Sequence, residues 1–208
     1  SLAVAGAAGQ PASTPVTSAT EIAFDSVPDF FTLPAGANFG EVSGVAVDSR
    51  RHVYVFSRSG ATGGPAFGPT AAQLLEFDAN GKFIREIGKG LYAWSFAHSV
   101  RIGPDDDIGA IDKGSDMVVR FDPAGRVKMV FGRKPEASDE AAHPLEHPRP
   151  PLPPIDSQFR QVTDVAWDSA DNIYISDGYV NSRVAKYDKD GNWAGSFGEP
   201  GAGPGQYS

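Results

Sequence analysis

The sequence predicts an all-β fold built from one repeated, four-stranded antiparallel unit. Short runs of β-branched and aromatic residues alternate with Asp, Asn and Gly turns along the 208 residues. No stretch of about ten residues carries the 3.6-residue period of a helix. An aromatic-Asp-x-x-Gly turn occurs at 77–81, 121–125 and 187–191. Four strands repeated at about 45-residue spacing are typical of the blades of a β-propeller.

The chain begins with a lead-in and then gives three units. Residues 1–20 are rich in Ala, Ser, Thr and Pro, and we interpret them as a disordered lead-in or the remnant of an export signal. Residues 21–40 place Phe24, Phe30, Phe31 and Leu33 among Pro and Gly, which suggests an edge strand or a packing arm. From 21 to 208 we expect a partial propeller, with blades near 41–88, 97–132 and 161–198.

The same four strands can be followed through each unit. Val45, Val100 and Val165 mark equivalent positions in the first strand, and a polar turn leads from it to the second. The third and fourth strands flank the aromatic-Asp turn. In the first unit this turn contains Asn80-Gly81 between alternating apolar runs, which is a strong hairpin signal.

Two segments lie outside this repeat. Residues 133–160 are dense in proline, which predicts an extended insertion leaving the propeller rim. After Gly198 the pattern that precedes a blade starts again. Three blades cannot close a ring, and closure is what removes exposed sheet edges. We therefore expect missing C-terminal blades, or a second chain, to complete the propeller.

The composition limits the classes of partner that the protein can bind and the cellular compartment in which we expect it. The formal net charge of −8 and the lack of a basic stripe argue against nucleic acid. No apolar run approaches the roughly 20 residues of a membrane span. Cysteine is absent, which excludes disulfides and thiolate metal sites. Small residues at A-x-A spacing in 1–8 favour a periplasmic or secreted protein.

Three residues break the repeat at one end of the predicted sheets. In an antiparallel pair, the start of the first strand and the end of the second lie together. His98 lies at the start of a first strand, two residues before Val100, whereas Arg58 and Tyr179 follow second strands. We therefore expect an imidazole, a guanidinium and a phenol to converge on one mouth of the channel.

Each of these side chains has two interpretations. His98 is either a neutral imidazole bonded to a backbone carbonyl or a metal ligand. Arg58 either pairs with a surface carboxylate such as Asp112 or binds a substrate carboxylate. Tyr179 is either a packing aromatic or a base beside a metal. We interpret Asp105–Asp107 as a solvated turn and not as a calcium loop. We interpret the spacing of His143 and His147 as accidental and not as a zinc site.

The blades resemble NHL repeats, and their unusual residues resemble one enzyme family. Segments 176–183 (Ser-Asp-Gly-Tyr-x-Asn-Ser-Arg) and 47–58, together with His98, are similar to the core of peptidyl-α-hydroxyglycine α-amidating lyases. The resemblance spans about 25–208. It implies a six-bladed propeller that cleaves peptidyl-α-hydroxyglycine to a peptide amide and glyoxylate.

The resemblance also implies roles for particular residues. His98 would be one of three zinc histidines, Arg58 would bind or polarise the small peptide-like substrate, and Tyr179 would be the catalytic base. The backbone carbonyls of Val45 and Val100 would line a structural calcium ion. The zinc ion (Zn2+) would be catalytic and the calcium ion (Ca2+) structural.

The sequence departs from the family pattern in two ways. Val180 stands where animal members have a cysteine. The resemblance also places two further zinc histidines, a second arginine and a calcium aspartate beyond residue 208, so this segment alone is expected to be inactive. The alternative is a non-enzymatic, exported NHL propeller that binds a peptide or another ligand at the mouth. A sugar-lactone hydrolase would need a carboxylate-rich calcium site that the sequence does not show.

Overall fold

The computed structural model describes residues 21–58, 72–134 and 155–207, and all the regular elements there are strands. Twelve of them form three four-stranded antiparallel sheets, each with its strands in chain order. The first sheet contains β1 (Glu41–Val47), β2 (Val53–Arg58), β3 (Ala72–Phe77) and β4 (Phe83–Ile87). The second contains β5 (Ala97–Ile102), β6 (Ile108–Asp112), β7 (Met117–Phe121) and β8 (Val127–Phe131). The third contains β9 (Asp164–Trp167), β10 (Ile173–Asp177), β11 (Arg183–Tyr187) and β12 (Trp193–Phe197).

The recurrent turn has the same geometry in all three sheets. Asp78 Oδ1 accepts backbone N–H bonds from Asn80 and Lys82, at 2.8 and 2.9 Å. Gly81 adopts the left-handed region, φ 78°, which the missing Cβ permits. The equivalent glycines have φ 83° and 84°, at Gly125 and Gly191. The sequence pattern predicts these hairpins because each turn requires a residue with positive φ, and glycine stands at that position in all three.

The core lies between facing sheets. One apolar cluster joins the first and second sheets around the fully buried Trp94, and another joins the second and third sheets around Tyr187. Successive side chains of a strand point to opposite faces, so Val118 and Val119 enter different clusters. Both faces of the second sheet are thus covered, which is how a blade packs within a propeller.

Residues 21–40 form a packing arm rather than an edge strand. Phe31, Leu33 and Phe39 lie against Phe77 and its neighbours on the first sheet. The rings of Phe31 and Phe77 have centroids 4.6 Å apart. A single isolated bridge, between Thr32 and Lys82, is the only ladder contact that the arm makes among the described residues.

The first strands of the sheets lie side by side, with β1 against β5 and β5 against β9. The approach is close at Gly44, where a Cβ atom would lie 2.7 Å from the backbone nitrogen of Val100. Only a residue without a side chain fits there.

Two short strands, β13 (Glu199–Pro200) and β14 (Gln206–Tyr207), pair in parallel at the end of the described chain. The predicted lead-in at 1–20 and most of the 133–160 insertion lie outside the described residues. None of the described residues belongs to a helix that is long and apolar enough to cross a membrane.

Candidate active site

The candidate site lies at the end of the sheets where β1, β5 and β9 begin and where β2, β6 and β10 end. We call this end the rim. The antiparallel registers create it by pairing the start of each first strand with the end of the second strand. The pairs are Glu41 with Arg58, Ala97 with Asp112, and Asp164 with Ser176.

Arg58 is held at the rim with one nitrogen still uncommitted. Its Nε donates to the carbonyl oxygen of Ala97 at 2.9 Å, and its Nη1 pairs with Glu41 at 2.7 Å. The guanidinium lies 3.8 Å from the centroid of the Phe96 ring. No described residue accepts a hydrogen bond from Nη2. The suggested pairing with Asp112 is wrong, because that buried carboxylate accepts backbone N–H bonds instead.

His98 presents a neutral imidazole at a β-bulge of β5. Its Nδ1 lies 2.8 Å from the carbonyl oxygen of Thr163. A carbonyl can only accept, so Nδ1 carries the proton and Nε2 keeps its lone pair. Burial lowers the pKa of His98, and the nearby cations Lys113 and Arg58 lower it further, against the opposing effect of the Thr163 hydrogen bond. A neutral ring oriented through its second nitrogen is the usual state of a metal-binding histidine.

Tyr179 projects from a turn that is fixed by the polar residues around it. The buried carboxylate of Asp177 accepts bonds from the backbone N–H of Arg160 at 2.8 Å, from Asn181 Nδ2 at 2.5 Å and from Arg183 Nε at 3.0 Å. Tyr179 itself is 47% exposed. The Asp-Gly-Tyr-x-Asn-Ser-Arg sequence thus encodes a rigid turn that leaves its tyrosine accessible.

The rim contains a fourth charged or polar candidate, Lys113, which the sequence analysis did not identify. Its ammonium nitrogen lies 4.4 Å from the centroid of the Tyr179 ring and 5.1 Å from that of Phe96. The rings of His98 and Tyr179 meet edge to face with centroids 6.1 Å apart. Lys113 occupies in the second sheet the position that Arg58 occupies in the first. An alignment of the two units by strand register would have identified it as a candidate.

The structure therefore brings Arg58, His98 and Tyr179 to one rim and links them through Phe96 and Lys113. An imidazole with a free lone pair can bind a metal, and an exposed phenol can exchange a proton. Two cations can hold an anionic group. The roles of these side chains remain predictions.

Val45 and Val100 lie on the neighbouring first strands β1 and β5. The side chain of Val45 is half exposed, whereas that of Val100 is buried. Their predicted role depends on backbone carbonyls that would face a calcium ion in the channel, and it remains a prediction.

A second cluster of metal-ligand types lies at the opposite end of the first sheet. Asp48, His52 and Glu76 bring ligand atoms within 4.8 Å of one another. Two guanidinium groups already neutralise the acids, because Arg50 pairs with Asp48 at 2.7 Å and Arg85 with Glu76 at 2.6 Å. We interpret this cluster as an ion-pair network of the sheet.

Two further sequence interpretations have different outcomes. The prediction that Asp105–Asp107 form a solvated turn is wrong for Asp107, which is buried and pairs with Arg120 and Lys128. His143 and His147 lie outside the described residues.

Comparison with known proteins supports a lyase resemblance. No family model matches the chain. The chain is 29% identical over 166 residues to a Caenorhabditis elegans protein named "Probable peptidyl-alpha-hydroxyglycine alpha-amidating lyase", covering 74% of this chain and 43% of that protein. It is 27% identical over 202 residues to the peptidylglycine alpha-amidating monooxygenase of Rattus norvegicus, covering 87% of this chain and 18% of that protein. The chain resembles the amidating lyases. It spans less than half the length of these curated relatives.

Solved structures give the fold. Virginiamycin B lyase from Staphylococcus aureus matches with a TM-score of 0.50 at 13% identity, over 80% of this chain and 44% of that one. A streptogramin B lyase structure matches with a TM-score of 0.51 at 14% identity, over 82% of this chain and 44% of that one. At such identities the likeness concerns the fold alone. Together with the three sheets, it confirms the prediction of an all-β propeller made of blades.

Proposed function

We propose that the chain is the N-terminal part of a zinc-dependent lyase that cleaves peptidyl-α-hydroxyglycine to a peptide amide and glyoxylate. The observation that carries this proposal is the grouping of His98, Tyr179 and Arg58 at one rim. The amidating names of the relatives support a lyase-type enzyme concerned with peptide amidation.

The rim residues have complementary tasks in this reaction. Tyr179 removes the proton from the substrate hydroxyl, the new carbonyl forms, and the bond from that carbon to the amide nitrogen breaks. The nitrogen takes this proton back from the Tyr179 hydroxyl and leaves as the peptide amide, and the other product is glyoxylate. Arg58 directs its uncommitted Nη2 to a substrate oxygen while Glu41 and Ala97 hold its other nitrogens.

The donor chemistry of the rim fits zinc at one position. Nε2 of His98 retains a lone pair because Nδ1 is bonded to Thr163. Zinc would supply a Lewis acid that lowers the pKa of the substrate hydroxyl. Among the described residues His52 is the only other histidine, and it lies at the opposite end of its sheet. In this proposal the further histidine ligands would come from the blades that complete the propeller.

The remaining parts of the proposal concern the whole propeller. Carbonyl groups of Val45 and Val100 would line a structural calcium ion at its centre. Additional blades, or a second chain, would close the ring. We propose that the protein is periplasmic or secreted and acts on a small peptide-like substrate.

The second candidate is an exported propeller that binds a peptide at the rim without cleaving it. One observation favours it. Within the ranges 21–58, 72–134 and 155–207, the rim contains a single histidine, whereas catalytic zinc usually has three protein ligands.

The test is release of glyoxylate from an α-hydroxyglycine peptide by the full-length protein. We expect Tyr179→Phe to lower kcat by about a hundredfold or more, since removing a general base typically costs that much. We expect a chelator to abolish activity and zinc to restore it. Tyr174→Phe is the matched control, because the Tyr174 hydroxyl bonds to Asp168 at the other end of the third sheet. Full activity of Tyr179→Phe, or no response to chelation, would contradict the proposal.

A further inference from the structure

We infer that Lys113 binds the free carboxylate at the end of the ligand and so makes the site selective for peptides with an ionised C-terminus. The inference rests on the proposed function for the identity of the ligand, which carries a carboxylate on the same carbon as its hydroxyl. The geometry that supports it belongs to the described rim.

Lys113 is a cation without a counter-ion among the described residues. No described carboxylate lies within 4.0 Å of its ammonium group, although the chain as a whole has a net charge of −8. The two buried acids of the rim are committed elsewhere: Asp112 accepts backbone N–H bonds, and Asp177 pairs with Arg183. Arg58, by contrast, is already paired with Glu41. The uncompensated positive charge of the rim therefore lies on Lys113.

Aromatic rings hold this ammonium in place without neutralising it. It lies over the rings of Tyr179 and Phe96, at 4.4 and 5.1 Å from their centroids. A ring face attracts a cation but leaves its N–H donors free to bind an anion. The backbone of Lys113 is fixed as well, because its N–H donates to the carbonyl oxygen of Phe96 at 3.0 Å.

The position of the charge matches the shape of the ligand. The substrate hydroxyl must reach Tyr179, and its carboxylate is attached to the carbon that bears this hydroxyl. An anion one bond from the reacting carbon will therefore meet a cation that lies against the Tyr179 ring. Lys113 meets this requirement, and it leaves Arg58 to bind a different oxygen of the ligand.

The chain offers a matched control for the stacking contact. Lys186 lies 5.3 Å from the centroid of the Tyr174 ring, on the third sheet. Tyr174 is directed to Asp168 at the end opposite to the rim. Lys186→Met thus removes a lysine that also lies over a tyrosine ring but is far from the rim.

The experiment measures binding of an N-acylglycine peptide and of its C-terminal amide to the full-length protein by calorimetry. The acid lacks the α-hydroxyl, so it binds without turnover. We expect the wild type and Lys186→Met to bind the acid at least about tenfold more tightly than the amide, because a charge-assisted hydrogen bond contributes about that much. Lys113→Met should lose this preference, and Lys113→Arg should keep most of it.

The outcomes separate this inference from the proposed lyase activity. If no glyoxylate is released but the preference for the acid depends on Lys113, the lyase proposal fails and the inference stands. If the wild type binds acid and amide equally, or if Lys113→Met keeps the preference, the inference is overturned.

Kinetics give an independent measure where turnover is observed. Lys113→Met should raise KM at least about tenfold and leave kcat nearly unchanged, since uniform binding is lost. A fall in kcat at constant KM would instead make Lys113 a positioning residue for Tyr179 and would overturn carboxylate binding.

Discussion

Asp112 and Asp177 are buried carboxylates that shape the site without entering it. Each ends the second strand of its sheet and accepts backbone N–H bonds from the segment that leads into the first strand. Burial raises the pKa of both groups, and these hydrogen bonds oppose the rise. The accessible residues Lys113 and Tyr179 follow them in the two turns. The positions of Lys113 and Tyr179 thus depend on the buried acid that precedes each of them in the chain.

Replacing one of these acids should destabilise the protein. Asp177→Ala leaves the buried Arg183 and the backbone N–H of Arg160 without this acceptor, and we expect the free energy of unfolding to fall by about 3 kcal/mol. Asp190→Ala is the control, because its pair with Lys189 is exposed and screened by solvent, so its loss should change the stability far less. Urea unfolding measures both. Equal losses in the two variants would contradict this role of Asp177.

Individual residues also show how far the sequence alone can lead. Arg58, His98 and Tyr179 were found because they break the repeat at one strand end. Lys113 was not predicted because it lies beyond the end of its strand, and its equivalence to Arg58 is clear only from the strand register. Asp107 was expected in solvent because the sequence does not show that side chains from β7 and β8 converge on it.

At the scale of elements, the turn between β6 and β7 contains Asp116, a carboxyl group that folding makes harder to ionise. Desolvation raises the pKa of Asp116 to about 7. A hydrogen bond from the backbone N–H of Gln161 opposes this shift, and the nearby charge of Asp177 adds to it. The turn of the second sheet is thereby joined to the segment before β9.

The raised pKa predicts a particular dependence of stability on pH. Between about pH 4 and pH 7 the folded protein keeps a proton on Asp116 that the unfolded chain releases, so stability falls as pH rises, by at most about 1.4 kcal/mol per pH unit from this group. Asp116→Asn can still accept the Gln161 bond and should show a shallower fall. Urea unfolding of both proteins at pH 5, 6, 7 and 8 measures the difference. Parallel curves would contradict the assignment.

At the scale of the whole molecule, adjacent sheets are aligned by polar contacts as well as by the apolar clusters. Arg101 pairs with Asp164 near the rim at 2.6 Å, and Arg120 pairs with Asp171 at 3.0 Å. The repeated turns made the sheets predictable from sequence. Their alignment was not predictable, because it depends on partners 51 and 63 residues apart in the chain.

The close approach of the first strands gives a test of this packing. Gly44→Ala places a Cβ atom 2.7 Å from the Val100 nitrogen, where only backbone could move, and we expect a loss of about 1–3 kcal/mol in the free energy of unfolding. Gly103→Ala is the control, since its Cβ would lie 3.4 Å from the Trp167 ring, an ordinary contact distance. Thermal and urea unfolding compare the two. A Gly44→Ala protein as stable as the wild type would contradict the close approach.

Arg58 donates to the carbonyl oxygen of Ala97 in the second sheet, and His98 donates to that of Thr163, directly before the third sheet. Arg58 and His98 therefore also form hydrogen bonds that connect neighbouring blades. We therefore expect a substitution at either residue to weaken the packing between neighbouring blades as well as to alter the candidate site. A variant designed with new chemistry at this rim will therefore need a replacement contact between the neighbouring blades.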